Sequence, residues 1–434
     1  MDLRLMGWSN GSMSGCPSAQ LRANRSTASS GSVRRKGSNL NPLDAPAILS
    51  LGTALPQHQF TQDQAADWFA HSLRDSPAKA RWIRAICAGS GIETRSFCIP
   101  DGLGSPDESR FAPNRPPGQA ATTSERMDMF RQMAPPLAVE AGRAALAELS
   151  ERSDRSISQV TESITHLILV TCTGFFAPGL DIAISDELNL SPEVERIQIG
   201  FMGCSALFNA WRTAAAIVNG APGARVLIVC VEVCSIHLQP SLKRQHLISA
   251  ALFSDGAGSC VVGNPTPEAP GHVRLMSFYS RVKPNTENEM TWKIGDHGFA
   301  LHLSHRIPDH LAQAAPPGLG QLFPDGQRPE VWAIHPGGKA IVDQLVETFD
   351  LAPEDTAASL RTLRRVGNLS SATMVFVLRE LLEQMEKRPR GTRGQVGVAM
   401  GFGPGLVLEM ARLWFEPVRE TRRVEEAAVS ITTR

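Results

Sequence analysis

The first 44 residues carry almost no apolar pattern, and regular patterning begins at Ala45. AILSLGTALP (47–56) reads as a buried strand closed by a proline turn. Residues 61–90 read as two helices, with Lys79, Arg81 and Arg84 placed on one face. A long helix is predicted across 124–150. HLILVTC (166–172) and ARVLIVCVEV (224–233) are short, β-branched and bounded by Gly or Pro, the mark of central strands buried on both faces. Between them the pattern predicts a helix near 179–189 and another opening at Cys204. Further strands are predicted at 257–263, 272–282, 331–335, 395–401 and 405–412, and helices at 338–349 and 370–387. This alternation predicts an α/β fold with largely parallel pairing. Turn residues at 265–271 mark a seam between two halves, 45–264 and 265–414.

Composition narrows the class. The chain has 434 residues, 42% of them hydrophobic, and a formal net charge of +0. That length accommodates one large core or two fused ones. Without an excess of Lys and Arg, a nucleic-acid or membrane-surface partner is not expected. No stretch approaches the roughly 20 apolar residues that span a bilayer, so no membrane span is expected. The start lacks an apolar signal region. The eight cysteines show no CxxC spacing and are spread along the chain, which predicts reduced thiols in a cytoplasmic protein rather than a disulfide or zinc framework. Residues 1–44, rich in Ser, Gly, Asn and Arg, read as a disordered extension or misassigned start, with a targeting or binding role as the alternative for so acid-poor a segment, and 415–434 read as a charged tail.

Three segments could carry chemistry. In GFMGCSALFNAWRTAAAIV (200–218), Cys204 follows a Gly and opens a helical pattern. The positive end of a helix dipole favours a thiolate, the form that attacks acyl groups. Free cysteines are also often small buried hydrophobes, and this segment alone does not decide between the two. In VWAIHPGGKAI (331–341), His335 ends an apolar strand, where α/β folds place their sites; a hydrogen-bonded structural histidine fits equally well. In RRVGNLSSATMVFVL (364–378), Asn368 precedes a helix and could be no more than an N-cap. GFGPG (401–405) adds a tight turn suited to lining a cavity.

Together these residues suffice for decarboxylative Claisen condensation. Cys204 would hold an acyl thioester, and His335 and Asn368 would donate hydrogen bonds to the enolate left when carbon dioxide departs. His335 would also pair with Cys204 and stabilise its thiolate. Such a donor site needs no metal.

The segments resemble the type III polyketide synthases, the family of chalcone and stilbene synthases and their bacterial relatives. The resemblance runs from about Ala47 to Leu413 and includes GIETR (91–95), TCTGFFAPG (171–179), ALFSDGAG (251–258) and GFALHLS (298–304). It implies a thiolase-like five-layered αβαβα fold of two duplicated halves, acting as a homodimer. Cys204 falls on the family nucleophile, and His335 and Asn368 on its decarboxylation pair. Phe253 falls on a gatekeeper between a CoA tunnel and the cavity. The resemblance implies Phe253, Leu301, Ser370, Gly403 and Pro404 as substrate-binding residues of the cavity. The implied substrates are an acyl-CoA starter and malonyl-CoA, with no other cofactor and no acyl carrier protein. The implied product is a cyclised pyrone, resorcinol or phloroglucinol.

The departures point to the bacterial branch. Leu301 replaces a second gatekeeper phenylalanine, Trp292 a cavity glycine, and Ala177 a methionine that reaches across the plant dimer. They argue against a chalcone product and leave room for a longer aliphatic starter. Lys79, Arg81 and Arg84 lie in the segment that holds CoA phosphates and are the candidate anchors. Three alternatives share part of the pattern. A carrier-dependent ketoacyl synthase also uses Cys, His and Asn, but with a histidine outside an HPGG motif. A papain-like protease orders the same residue types alike, but with a CGxCW context absent here. A silent scaffold would keep the fold without needing all three side chains.

Overall fold

β1 (Ala47–Ala54) occupies the centre of a nine-stranded sheet in a computed structural model that describes residues 41–99, 104–266, 272–389 and 393–417. The other strands are β2 (Gln59–Thr61), β3 (Thr94–Ser96), β4 (His166–Thr171), β5 (Glu195–Gly200), β6 (Val226–Glu232), β7 (Gly256–Gly263), β8 (Val273–Val282), β9 (Met290–Gly295), β10 (Gly298–Leu303), β11 (Val331–Ile334), β12 (Gln395–Gly403) and β13 (Val407–Phe415). The helices are α1 (Gln62–Ser72), α2 (Pro77–Gly89), α3 (Thr123–Ser153), α4 (Ile157–Glu162), α5 (Leu180–Glu187), α6 (Ala206–Gly220), α7 (Arg244–Leu252), α8 (Ile307–Leu322), α9 (Lys339–Phe349), α10 (Pro353–Val366) and α11 (Thr373–Glu386).

The large sheet runs β11-β12-β13-β8-β1-β7-β6-β4-β5. The two halves join where Ala47 and Ile48 pair with Arg274 and Val273. Pairing differs from the predicted, largely parallel sense. Only β11–β12, β4–β5 and β4–β6 are parallel, whereas β1–β7, β1–β8, β6–β7, β8–β13 and β12–β13 are antiparallel. Continuous apolar runs report burial on both faces and say nothing of strand direction.

Side-chain alternation builds the layers. On β6, Leu227, Val229 and Val231 pack with α3 through Ala138, Ala141 and Ala145, while Val226, Ile228 and Cys230 pack with α6 and α11. On β12, Ala399 joins that same α6–α11 core, while Val398 and Met400 face α8 and α9 through Leu311, Ala315, Val342 and Leu345. Both half-sheets therefore lay one face on α6 and α11. The result is a thiolase-like αβαβα stack whose middle helices are sandwiched, with Trp211 fully buried. Burying a residue of that size contributes about 3 kcal/mol or more, so the two central helices are held firmly.

The chain ends depart from the prediction. Residues 1–40 of the predicted disordered extension lie outside the described residues, but Pro42–Asp44 form a 3-10 turn. Arg274 Nη1 secures it by donating to the carbonyls of Leu43 (2.7 Å) and Ala45 (3.0 Å). In the predicted charged tail, Phe415 is buried at the end of β13 and Arg274 Nε donates to Glu416 (2.5 Å); residues 418–434 lie outside the described residues, as do 267–271 of the predicted seam. Among the described residues no helix is long and apolar enough to cross a membrane, no group of three or more His, Cys, Asp or Glu is placed to hold a metal, and the seven cysteines are free thiols.

Candidate active site

Cys204 sits in the 3-10 turn Gly203–Ser205 that leads into α6, one of the two central helices. The turn is tight. Phe201 and Gly203 have φ of 57° and 66°, and a side chain at Gly203 would run into Pro404, its Cβ 2.3 Å from the ring. A Cβ at Gly403 would meet Ser205 Oγ at 2.4 Å. The GFGPG turn between β12 and β13 is thus the buttress that the nucleophile turn leans on, which is why both need glycine there.

His335 continues β11 by one residue, its amide donating to the Met400 carbonyl (2.9 Å). The ring is buried, and neither nitrogen has a hydrogen-bond partner among the described residues. Burial lowers its pKa to about 3, so the imidazole is neutral and offers one N–H and one lone pair to the cavity.

Asn368 is clamped at its backbone, its amide donating to Leu252 O (3.0 Å) and its carbonyl accepting from Ser254 N (2.9 Å). Its Oδ1 accepts from Ser370 N (2.8 Å) and Thr373 Oγ1 (3.3 Å), which fixes the carboxamide orientation. Nδ2 then faces the other way and donates to Gly337 O (3.2 Å), leaving its second hydrogen for a ligand. Asn368 is therefore more than the simple helix cap its sequence context allowed.

The Cys204 thiol points at Ser370 Oγ (3.7 Å) and Asn368 Oδ1 (4.0 Å). The expected imidazole–thiolate pair is absent, because His335 has no such bond in the resting site. The residue is half-buried, but the desolvated surroundings of the sulfur raise its pKa to about 12, against the smaller opposing help of the Ser370 hydroxyl. The resting site is a thiol beside a neutral imidazole. Alkylation of Cys204 by iodoacetamide in the free enzyme should therefore keep rising past the ordinary thiol value of ~8.5. A rate that levels off at or below neutrality would instead reveal a stabilised thiolate.

Cys204, His335, Asn368 and Ser370 converge on one cavity of about 320 Å3. Phe253, Leu301, Trp292 and Pro404 also line it, together with aliphatic side chains such as Ile248, Leu252, Leu303, Ile307 and Ile341. Trp292 Nε1 donates to Cys172 O (2.7 Å), which holds the indole in the wall. Gly403 acts from behind, through its contact with Ser205.

The basic trio does not reach this cavity. Arg81 and Arg84 line a separate open cleft between α1 and α2, with His71 and Arg74, and Arg84 is ion-paired to Asp67. Lys79 lines neither space. Residues two apart on a helix lie about 200° around the axis from each other, so Lys79 and Arg81 do not share a face.

The sequence reading missed the support behind the nucleophile. Glu232, fully buried at the end of β6, accepts from Cys172 N (3.0 Å), Thr173 Oγ1 (2.8 Å) and Ser371 Oγ (2.5 Å). It ties the cavity floor to the segment after Asn368, and burial raises its pKa to about 7. A lone acidic residue closing the apolar run VLIVCVE was the available signal.

Comparison with known proteins agrees with this geometry. The profile for chalcone and stilbene synthases, N-terminal domain, matches residues 35–266, and that for the C-terminal domain matches 274–414. The alpha-pyrone synthesis polyketide synthase-like Pks18 of Mycobacterium tuberculosis is 32% identical over 400 residues, covering 88% of this chain and 97% of its own. Type III polyketide synthase 10 of Oryza sativa subsp. japonica is 29% identical, covering 88% and 96%. The fold superposes on the C-terminal type III polyketide synthase domain of Steely1, a type I/III hybrid from Dictyostelium, with TM-score 0.76 and 26% identity, covering 86% of this chain and 99% of that one. PKS-I from the brown alga Ectocarpus siliculosus gives TM-score 0.75 at 26% identity, covering 86% and 98%. With both halves matched and the three chemical residues gathered at one cavity, the chain belongs to the chalcone and stilbene synthase family and is an acyltransferase of the type III polyketide synthase class.

Proposed function

We propose that the enzyme loads an acyl group from acyl-CoA onto Cys204, extends it with malonyl-CoA and releases a cyclised pyrone, resorcinol or phloroglucinol type product. One observation carries the reading: an unpartnered neutral imidazole and a free amide N–H face the same cavity as the Cys204 thiol. In loading, the His335 lone pair takes the thiol proton as sulfur attacks the thioester carbonyl, and the CoA sulfur leaves with that proton, returning the imidazole to neutral. In extension, the malonyl carboxylate departs as carbon dioxide, and its electron pair passes into an enolate whose oxygen receives hydrogen bonds from His335 and Asn368 Nδ2. The enolate carbon attacks the Cys204 thioester and expels the cysteine sulfur. A neutral imidazole suits both steps.

The aliphatic wall favours an aliphatic starter over a polar one, because such a chain loses only water contacts on entry. The pyrone outcome has the added support that the Mycobacterium relative is described as an alpha-pyrone synthesis enzyme. The reading includes CoA thioesters as the sole cofactor-like groups, no carrier protein, a homodimer and a cytoplasmic setting. The open outer edge of β5 and the exposed Phe175 and Met202 beside the nucleophile turn are consistent with a second copy there.

Incubation with acyl-CoA alone tests the loading step. The peptide containing Cys204 should gain the mass of the acyl group, more with aliphatic than with polar starters. No adduct from any starter would contradict the reading.

A further inference from the structure

The GIETR run lies outside the cavity and has no part in the chemistry above, yet it ends in a fully buried arginine. Arg95, on β3, lies over the edge-to-face pair of Phe60 and Phe97, its guanidinium carbon 5.4 and 5.2 Å from their centroids. Among the described residues no carboxylate hydrogen-bonds it, although the charge of Asp255 acts on it from nearby. Its Nη1 donates to Ala250 O (2.6 Å) and Phe253 O (2.8 Å), and Nε and Nη2 have no partner among the described residues.

Burying a guanidinium that no anion hydrogen-bonds is costly, even with the Asp255 charge nearby, and an aliphatic side chain would sit against the two rings at less expense of free energy. What arginine adds is its bonds to two carbonyls at the end of α7, where a cation also complements the helix dipole. Those carbonyls flank the short bridge that fixes Asn368. Leu252 O accepts from Asn368 N, and Ser254 N donates to Asn368 O. Arg95 touches the other side of that bridge too. Gly367 has φ of 70°, and a Cβ there would lie 3.2 Å from both Arg95 Cγ and Ser254 Cβ. One buried side chain therefore sets the backbone carrying Phe253 at the cavity wall and Asn368 at the donor position.

We propose that Arg95 is a positioning residue for condensation, holding Phe253 and Asn368 in register through the end of α7. This rests on the decarboxylative reading of the site. A displacement of about 1 Å at a reacting group can cost about 10²-fold in rate, and substrate binding along the cavity would be spared. The test is steady-state malonyl-CoA decarboxylation by the wild-type enzyme, Arg95→Met and Arg95→Lys, with thermal melting of each. The Met variant should lose about 10²-fold in kcat at nearly unchanged KM. Lys, which keeps one donor, should recover part of that loss. A lower melting temperature with wild-type kcat in both variants would overturn the inference and leave Arg95 a packing residue. If Met does not fold, Lys alone decides: a reduced kcat at unchanged KM supports the role, and full kcat refutes it. An inactive wild-type enzyme would instead sink the decarboxylative reading, and the inference with it.

Discussion

Cys204→Ala should yield no detectable polyketide while malonyl-CoA is still decarboxylated, within about tenfold of the wild-type rate if the two N–H donors carry that step. The expectation follows from how the site is held. Asn368 takes its orientation from Ser370 N, Thr373 and Gly337, to which the thiol adds only a 4.0 Å contact at Oδ1, and His335 makes no bond to the thiol, so both donors keep their place without the sulfur. Removing the thiol deletes the acyl acceptor and its long contacts to Asn368 Oδ1 and Ser370 Oγ. Acetyl-CoA derived from malonyl-CoA would then accumulate without chain growth. Equal loss of both activities would show that the sulfur takes part in decarboxylation and that the division of roles is wrong.

Asn368→Ala should act on the other half of the reaction. Losing one oxyanion donor typically costs about 2.7–4 kcal/mol, or 10²–10³-fold in kcat. Acylation of Cys204 should persist, because loading uses the thiol and the imidazole. A second effect comes from the lost acceptor. Ser370 N would be left buried without its partner, which costs about 1–3 kcal/mol of stability. Asn368→Asp separates the two effects. It keeps the acceptor for Ser370 but places a carboxylate where the enolate forms, so stability should recover while kcat stays low. A near-normal decarboxylation rate in Asn368→Ala would remove this side chain from the mechanism.

Much of this arrangement could be read in advance, for identifiable reasons. β4 and β6 are dense β-branched runs between turn residues, and burial on both faces makes such runs conspicuous. Cys204, His335 and Asn368 were each ambiguous alone and became informative through their order and local motifs. β5 escaped because ERIQIG lies at the sheet edge with no fully buried residue, so burial left no clear pattern. The β9–β10 hairpin was likewise not read as strands, although its GFALHLS run and Trp292 were singled out. Polar bookkeeping was the least visible layer. The sequence contains Glu232 and Arg95, but their partners come from segments far away in the chain, such as Ser371 and Phe253. The candidate CoA anchors rest on the segment they share with the family, and α2 sets Arg81 and Arg84 on a cleft beside α1 and not on the cavity wall.

The most direct measurement is mass spectrometry of products formed by the purified enzyme from malonyl-CoA and a panel of acyl-CoA starters, run without carrier protein. The panel should extend from acetyl through long aliphatic to aromatic acyl groups. The account predicts starter-dependent polyketides, strongest with aliphatic chains and lost in Cys204→Ala. No extended product from any starter, from an enzyme whose Cys204 also remains unacylated, would contradict it.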